Sequence, residues 1–307
     1  MANHRPLRIG IQLPEVEREV RWPEYVALAR TAEDVGFDAL WLGDHLLYRF
    51  ENGDSRGPWE AWTMLSALAA STSRVSLGPL VAATAFHNPA MLAKMAATVD
   101  EVSGGRLILG LGAGWNETEF RAFGFPFDHR IDRFEEAFTI IRTLLRDGQI
   151  DFDGRYFQAR DCELLPRPAR PGGPALLIGS RGERMLRMTL PHVDQWNVWF
   201  ADTNNSPAGV PALRDLVDGI CREVGRDPAH IERTVAVLVR MPGGSGRIQG
   251  DYAKAGYAPL EGPPDVIAEG LRAYAREGIG AVQLVVDPIT AGSIEALGPV
   301  LELLDRG

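Results

Sequence analysis

Three short stretches of the chain combine residue types that do chemistry. Asp44-His45 sets a carboxylate beside the one side chain that ordinarily titrates near neutrality, a pairing suited to proton donation or to contact with a cofactor, with a surface ion pair as the plain alternative. Gly179-Ser180-Arg181-Gly182 runs into a helical stretch over 183–190. Free N–H groups, a helix dipole and the cations Arg181 and Arg184 meet there as they do around a phosphate. Gly110-Leu111-Gly112-Ala113-Gly114 looks like a dinucleotide fingerprint, but the third glycine of G-x-G-x-x-G falls on Trp115 and the spacing fails. Missing side chains there instead leave a strand end open to a flat ligand. Trp41, Trp59, Trp62, Trp115, Trp196 and Trp199 gather near strand ends. Core packing is the plain alternative for each, but several indoles around one mouth make an apolar pocket for a planar cofactor and a greasy substrate, with Trp59, Trp115 and Trp199 as the expected substrate contacts. Neither G-x-S-x-G nor H-E-x-x-H occurs, and no carboxylates have ligand spacing, which speaks against serine hydrolase and metal-dependent hydrolase chemistry.

Such residues work only if the backbone brings them together. Apolar runs alternate with amphipathic stretches through the whole sequence: 7–13 then 25–35, 39–42 then 61–70, 75–81 then 90–102, 107–111 then 131–145, 175–178 then 183–190, 193–198 then 212–224, 234–239 then 264–277, and 281–286 then 293–304. Eight strand–helix units in order predict an α/β fold, a (β/α)8 TIM barrel over 1–307 as a single domain. Insertions are expected after strands two (43–59), four (149–174, with a hairpin around 156–165) and seven (241–262, a glycine-rich mobile lid). Barrel active sites lie at the C-terminal ends of the strands, which selects Gln12, Asp44, His45, Ala82, Thr84, Asn116, Gly179, Ser180, Arg181, Asn197 and Trp199.

Composition bounds the partners. The 307 residues are 45% hydrophobic and 24% charged, with a net charge of −9 and dispersed arginines, so a polyanion such as DNA is repelled. No run approaches a membrane span and the start lacks an apolar signal core, so a cytoplasmic protein without membrane contact is expected. Cys162 and Cys221 stand far apart, and no metal site is expected.

Four segments resemble the luciferase-like monooxygenase superfamily, in particular its branch that uses the deazaflavin coenzyme F420. They are 36–45 (GFDALWLGDH), 77–94, 100–117 (DEVSGGRLILGLGAGWNE, the most specific) and 177–180 with 194–197, and weaker echoes extend over nearly the whole chain. The resemblance implies a reduced deazaflavin or flavin at the strand C-termini with its phosphate on the strand-five loop. It implies His45 as active-site acid/base, Asp44 as a polar cofactor contact, and Leu80-Val81 as a strand-three bulge, with a non-proline cis peptide, against the ring. Trp115 stands where the superfamily's sugar-phosphate dehydrogenases have Glu, which argues against a sugar-phosphate substrate. The expected activity is hydride transfer between the deazaflavin and a small, largely apolar organic substrate. The alternatives are an FMN-dependent monooxygenase using O2 and a non-enzymatic flavin-binding protein. A homodimer is expected.

Overall fold

The computed structural model describes residues 5, 7–245 and 256–306. The barrel strands are β1 (Arg8–Gln12), β2 (Ala39–Leu42), β5 (Ser76–Pro79), β6 (Ala82–Ala83), β7 (Ile108–Gly112), β10 (Ala175–Gly179), β11 (Gln195–Val198), β12 (Glu232–Arg240) and β13 (Ala281–Asp287). They are parallel and hydrogen-bonded in the order β5-β2-β1-β13-β12-β11-β10-β7-β6. A parallel bridge between Leu77 and Leu107, with Leu77 N donating to Arg106 O at 3.1 Å, closes the ring. Nine strands make eight staves because β5 and β6 are halves of one strand, interrupted at the cis peptide bond Leu80–Val81.

Helices α1 (Trp22–Val35), α2 (Ala61–Ser71), α3 (Pro89–Ser103), α5 (Arg130–Asp147), α6 (Glu183–Thr189), α7 (Val210–Glu223) and α8 (Pro264–Arg276) follow successive staves. The last helical stretch is two helices, α9 (Ala291–Ala296) and α10 (Gly298–Asp305), separated at Leu297. Gly36 ends α1 with φ 106°, a conformation that a side chain disfavours, as a helix-terminating glycine should.

Two-residue alternation sorts every stave. Ile9, Ile11, Leu40, Leu42, Leu109, Leu111, Val235 and Val237 join one buried cluster with the helices. Their alternates turn inward, where Trp41 fills the space that Gly10 and Gly78 leave and packs with Ile108 and Leu177. Burial on both faces is why the strands read as continuous apolar runs.

The insertions differ from expectation in detail. The first carries a short antiparallel pair, β3 (Tyr48–Arg49) and β4 (Ser55–Arg56). The expected hairpin is present, but its arms are β8 (Gln149–Asp153) and β9 (Gln158–Glu163), so Tyr156 lies in the turn rather than in a strand. A further short helix, α4 (Glu117–Phe123), sits between β7 and α5, where the sequence reading assigns no element. Of the expected lid, 246–255 lie outside the described residues; Leu260 beyond them bridges to Val239 along β12.

The most specific sequence segment has a structural purpose at its start. Arg106 donates five hydrogen bonds, to the carbonyls of Ala69, Thr72, Val75 and Ser103 and to Thr72 Oγ1, tying the end of α2 to α3 and β5. Buried Asp100 accepts from Leu107 N and from Arg170 in turn. Replacing Arg106 with Met strands several carbonyls, each costing on the order of 1–3 kcal/mol when left unpaired. Arg106→Met should therefore lower the unfolding free energy by about 2–4 kcal/mol, with most of the loss recovered by Arg106→Lys only if a single cation suffices; urea denaturation of both variants measures this.

Candidate active site

A cavity of about 560 Å³ opens at the C-terminal end of the barrel, within the size range of small-molecule and cofactor sites. Its wall contains Gln12, Asp44, His45, Leu80, Val81, Gly179, Ser180, Arg181, Asn197, Trp115 and Trp199 from among the residues selected by sequence. Four selected residues do not line it. Ala82 is fully buried, and Thr84 is buried with its hydroxyl on Gly112 O at 3.3 Å. Asn116 donates to Leu47 O at 3.0 Å and so anchors the loop after β2. Trp59 lies in a separate groove with its indole N–H on Val20 O, under Arg21. Of the other indoles, Trp41 fills the barrel interior, Trp62 is buried on α2, and Trp196 faces outward with its N–H on Ser180 O.

The glycines at the mouth serve the protein's own atoms. A Cβ on Gly110 would meet Pro79 O and Val81, one on Gly112 would come within 2.7 Å of Val81 Cγ2, and one on Gly179 within 3.0 Å of Val81 Cγ1. Gly114, at φ 75°, yields to the Phe120 ring. The space expected for a flat ligand above Gly110 and Gly112 is thus occupied by the Val81 side chain, which becomes the surface a ligand meets.

Around His45 the chain buries three carboxylates. Glu119, on α4, accepts from His45 Nδ1 at 2.8 Å and holds the loop through Leu46 N and Leu47 N. Glu15 accepts from Gln12 Nε2 at 3.0 Å and Tyr48 Oη at 2.9 Å, and lies 3.8 Å from His45 Nε2. Gly43 is bare of side chain where Glu15 approaches. Asp44 accepts from Ala83 N at 2.9 Å and pairs with His87 Nε2 at 3.1 Å. Burial by itself drives the proton off His45, but the Glu119 hydrogen bond and the charges of Glu15, Glu119 and Asp44 outweigh it and hold the imidazole above the ordinary histidine range. The ring packs at 4.9 Å from Tyr48 and edge-on to Trp115 at 5.5 Å.

Glu15, Tyr48, Glu119 and Arg130 are among the cavity residues that the sequence reading missed. Glu15 follows β1 just past Gln12 and Pro14, so the strand-end rule already contained it. Glu119 had a weaker signal, a carboxylate next to Phe120 on a short helix whose buried side could be guessed only once that helix was recognised. Arg130 donates to Gly114 O at 2.7 Å and lies over the Phe127 ring, 4.2 Å from its centre.

On the strand-five loop, Ser180 Oγ accepts from Gly182 N at 3.1 Å and Arg181 is ion-paired with Asp202 at 3.0 Å. Arg184 turns outward to Asp132 and Glu135, away from the mouth. A planar cofactor fits the cavity on one specific count: Gln12 Oε1 is buried and has no hydrogen-bond partner among the described residues, while its Nε2 is fixed on Glu15. It is an acceptor in want of a donor, such as a ring N–H.

The electrostatics are testable on the protein alone. Glu119→Gln keeps the shape but removes the charge and can present an N–H to Nδ1, so the His45 pKa should fall. The raised value in the native protein means that His45 stabilises the fold fully below its unfolded pKa of 6.5 and loses that contribution as pH climbs through the folded value. Nitrogen-15 NMR titration of the imidazole reads both proteins, and an unchanged pKa in Glu119→Gln contradicts the assignment.

The chain has relatives among known proteins. The chain is 32% identical to the 5,10-methylenetetrahydromethanopterin reductase of Archaeoglobus fulgidus over 59% of this chain and 50% of that protein. It is 36% identical to the F420-dependent glucose-6-phosphate dehydrogenase of Amycolatopsis mediterranei over 50% of this chain and 49% of that one. It is 32% identical to the pyrimidine monooxygenase of Cronobacter sakazakii over 55% and 50%. The chain thus matches about half the length of these curated relatives. An F420-dependent secondary alcohol dehydrogenase, in complex with an F420–acetone adduct, shares the fold with TM-score 0.79 over 96% of this chain and 98% of the other, at 20% identity. The luciferase-like monooxygenase profile matches residues 8–242, the stretch that builds seven of the eight staves together with His45 and the carboxylates around it, and the chain belongs to that family.

Proposed function

We propose that this protein is an F420-dependent oxidoreductase that moves a hydride between the deazaflavin and a small, largely apolar organic substrate, with His45 handling the accompanying proton. The observation that carries the reading is a single imidazole on the cavity wall, tied to Glu119 through Nδ1, with its proton affinity raised by the surrounding carboxylates. Two of the relatives named above, a methanopterin reductase and an F420-dependent dehydrogenase, support it.

Bound in the cavity, the reduced deazaflavin supplies a hydride. The Leu80–Val81 bulge offers its ring an apolar face, Gln12 Oε1 a hydrogen-bond acceptor, and Asp44, braced by His87 and Ala83 N, a polar contact. Gly179, Ser180 and Arg181, the last now paired with Asp202, would hold its phosphate. Ala82, Thr84 and Asn116 support this wall from behind. Trp115 and Trp199, with Tyr48, enclose the substrate and exclude water. When a carbonyl or imine carbon receives the hydride, its oxygen or nitrogen needs a proton, and His45 donates it from Nε2, since Nδ1 is engaged by Glu119. Loss of that proton leaves a neutral ring that Glu119 still orients. We further propose a cytoplasmic homodimer as the working form. No helix among the described residues is long and apolar enough to cross a membrane.

The pyrimidine monooxygenase relative favours a second reading, monooxygenation with reduced FMN and O2. Titration of the purified protein with each cofactor separates the two. The deazaflavin should bind with micromolar affinity or better, roughly −8 kcal/mol, and FMN more weakly; the reverse order selects the flavin reading. His45→Ala should slow oxidation of the reduced deazaflavin by small ketones and cyclic imines about a hundredfold while leaving cofactor affinity nearly intact. An unchanged rate removes His45 from the chemistry.

A further inference from the structure

The opposite, N-terminal end of the barrel contains a second cavity, of about 430 Å³, which the proposed reaction does not use. Barrels of this kind normally fill their interior with layers of side chains. Here the lowest layer is thin, because Ala39, Ser76 and Ala281 stand on the cavity wall where larger residues would close it. Trp41 and Gln283 also line it, 3% and 1% exposed.

Gln283 is the informative residue. Asn197 Nδ2 donates to its Oε1 at 2.8 Å, which fixes the orientation of the amide, and the other end, Nε2, has no hydrogen-bond partner among the described residues. A buried donor without an acceptor is unfavourable, and its position on a cavity wall leaves room for one to arrive. The charges at the rim are matched within the protein. Arg8 pairs with Glu232, Asp38 with Arg5 and Ile9 N, Glu33 takes the N–H groups of 73–75, and Arg74 donates to the Glu33 and Phe37 carbonyls. Asp34 is exposed to solvent. Among the described residues each rim cation is engaged by the protein's own oxygens, and the wall between rim and amide holds the Trp41 indole, Ile108, small apolar groups and the Gln195 amide, whose Nε2 is held by Glu232 at 2.9 Å.

We propose that this lower cavity is a binding site for a small uncharged molecule that carries a carbonyl or ring-nitrogen acceptor, a heteroaromatic amide by class, which takes the Gln283 Nε2 hydrogen bond and lies against Trp41. Asn197 lines the upper cavity, so one hydrogen bond separates the two sites. The inference is independent of the cofactor and activity proposed above.

Nicotinamide is a suitable probe, with toluene as its acceptor-free counterpart. Calorimetry on the full-length protein should show one nicotinamide bound with a Kd of about 1 mM or tighter, and toluene at least tenfold weaker. Gln283→Met removes the donor at similar length, and Ser76→Leu fills the cavity without touching Gln283; each should weaken nicotinamide at least tenfold. NMR contacts between nicotinamide and the Trp41 indole in the unmodified protein test the location without any variant. Equal binding of toluene, nicotinamide affinity indifferent to both substitutions, contacts confined to other residues, or no saturation by about 20 mM would each overturn the proposal.

Discussion

Three carboxylates buried around one imidazole set the terms for this end of the molecule. Uncompensated, such a cluster would repel itself and take up protons. The chain instead provides a partner for each: Gln12 and Tyr48 for Glu15, Ala83 N and His87 for Asp44, and Leu46 N, Leu47 N and His45 for Glu119. Those partners come from β1, the loop after β2 and the stretch from β6 to the start of α3. The loop after β2 is therefore held by the same Glu119 carboxylate that raises the proton affinity of His45, which couples the electrostatics of the site to the conformation of its wall.

A steric constraint runs beside the electrostatic one. With Leu80–Val81 cis and the stave broken there, the Val81 side chain lies over the barrel mouth, and glycine at 110, 112 and 179 is what lets neighbouring staves pass beneath it. The same glycines that resemble a nucleotide-binding loop in one dimension are, in three, clearance for a valine. Below that level Trp41 takes the space left by Gly10 and Gly78, and the barrel axis narrows to the Asn197, Thr234 and Gln283 cluster. Bulk concentrated in one indole leaves room above for the upper cavity and below for the lower one.

Sequence by itself determined the architecture. Eight alternations of apolar run and amphipathic stretch, with Gly36 ending α1 and prolines at 23 and 264 in first helical turns, admit one barrel, because each strand must be buried on both faces and each helix on one. It also singled out His45, Asp44, Gln12 and the strand-five loop, since residues that end a barrel strand are necessarily near its mouth. Tertiary structure alone decided which of these face the cavity. Trp59 and Trp115 are equally aromatic and equally near strand ends, yet one is drawn into a groove by Val20 O while the other stays at the mouth beside His45. Glu119 reaches His45 across 74 residues through a short helix whose placement follows from packing of Phe120 against Gly114, and no local periodicity of seven residues announces that. Strand order is a local pattern repeated eight times. The company that a buried charge keeps depends on contacts between segments far apart in the chain, and only the folded chain brings them within hydrogen-bonding distance.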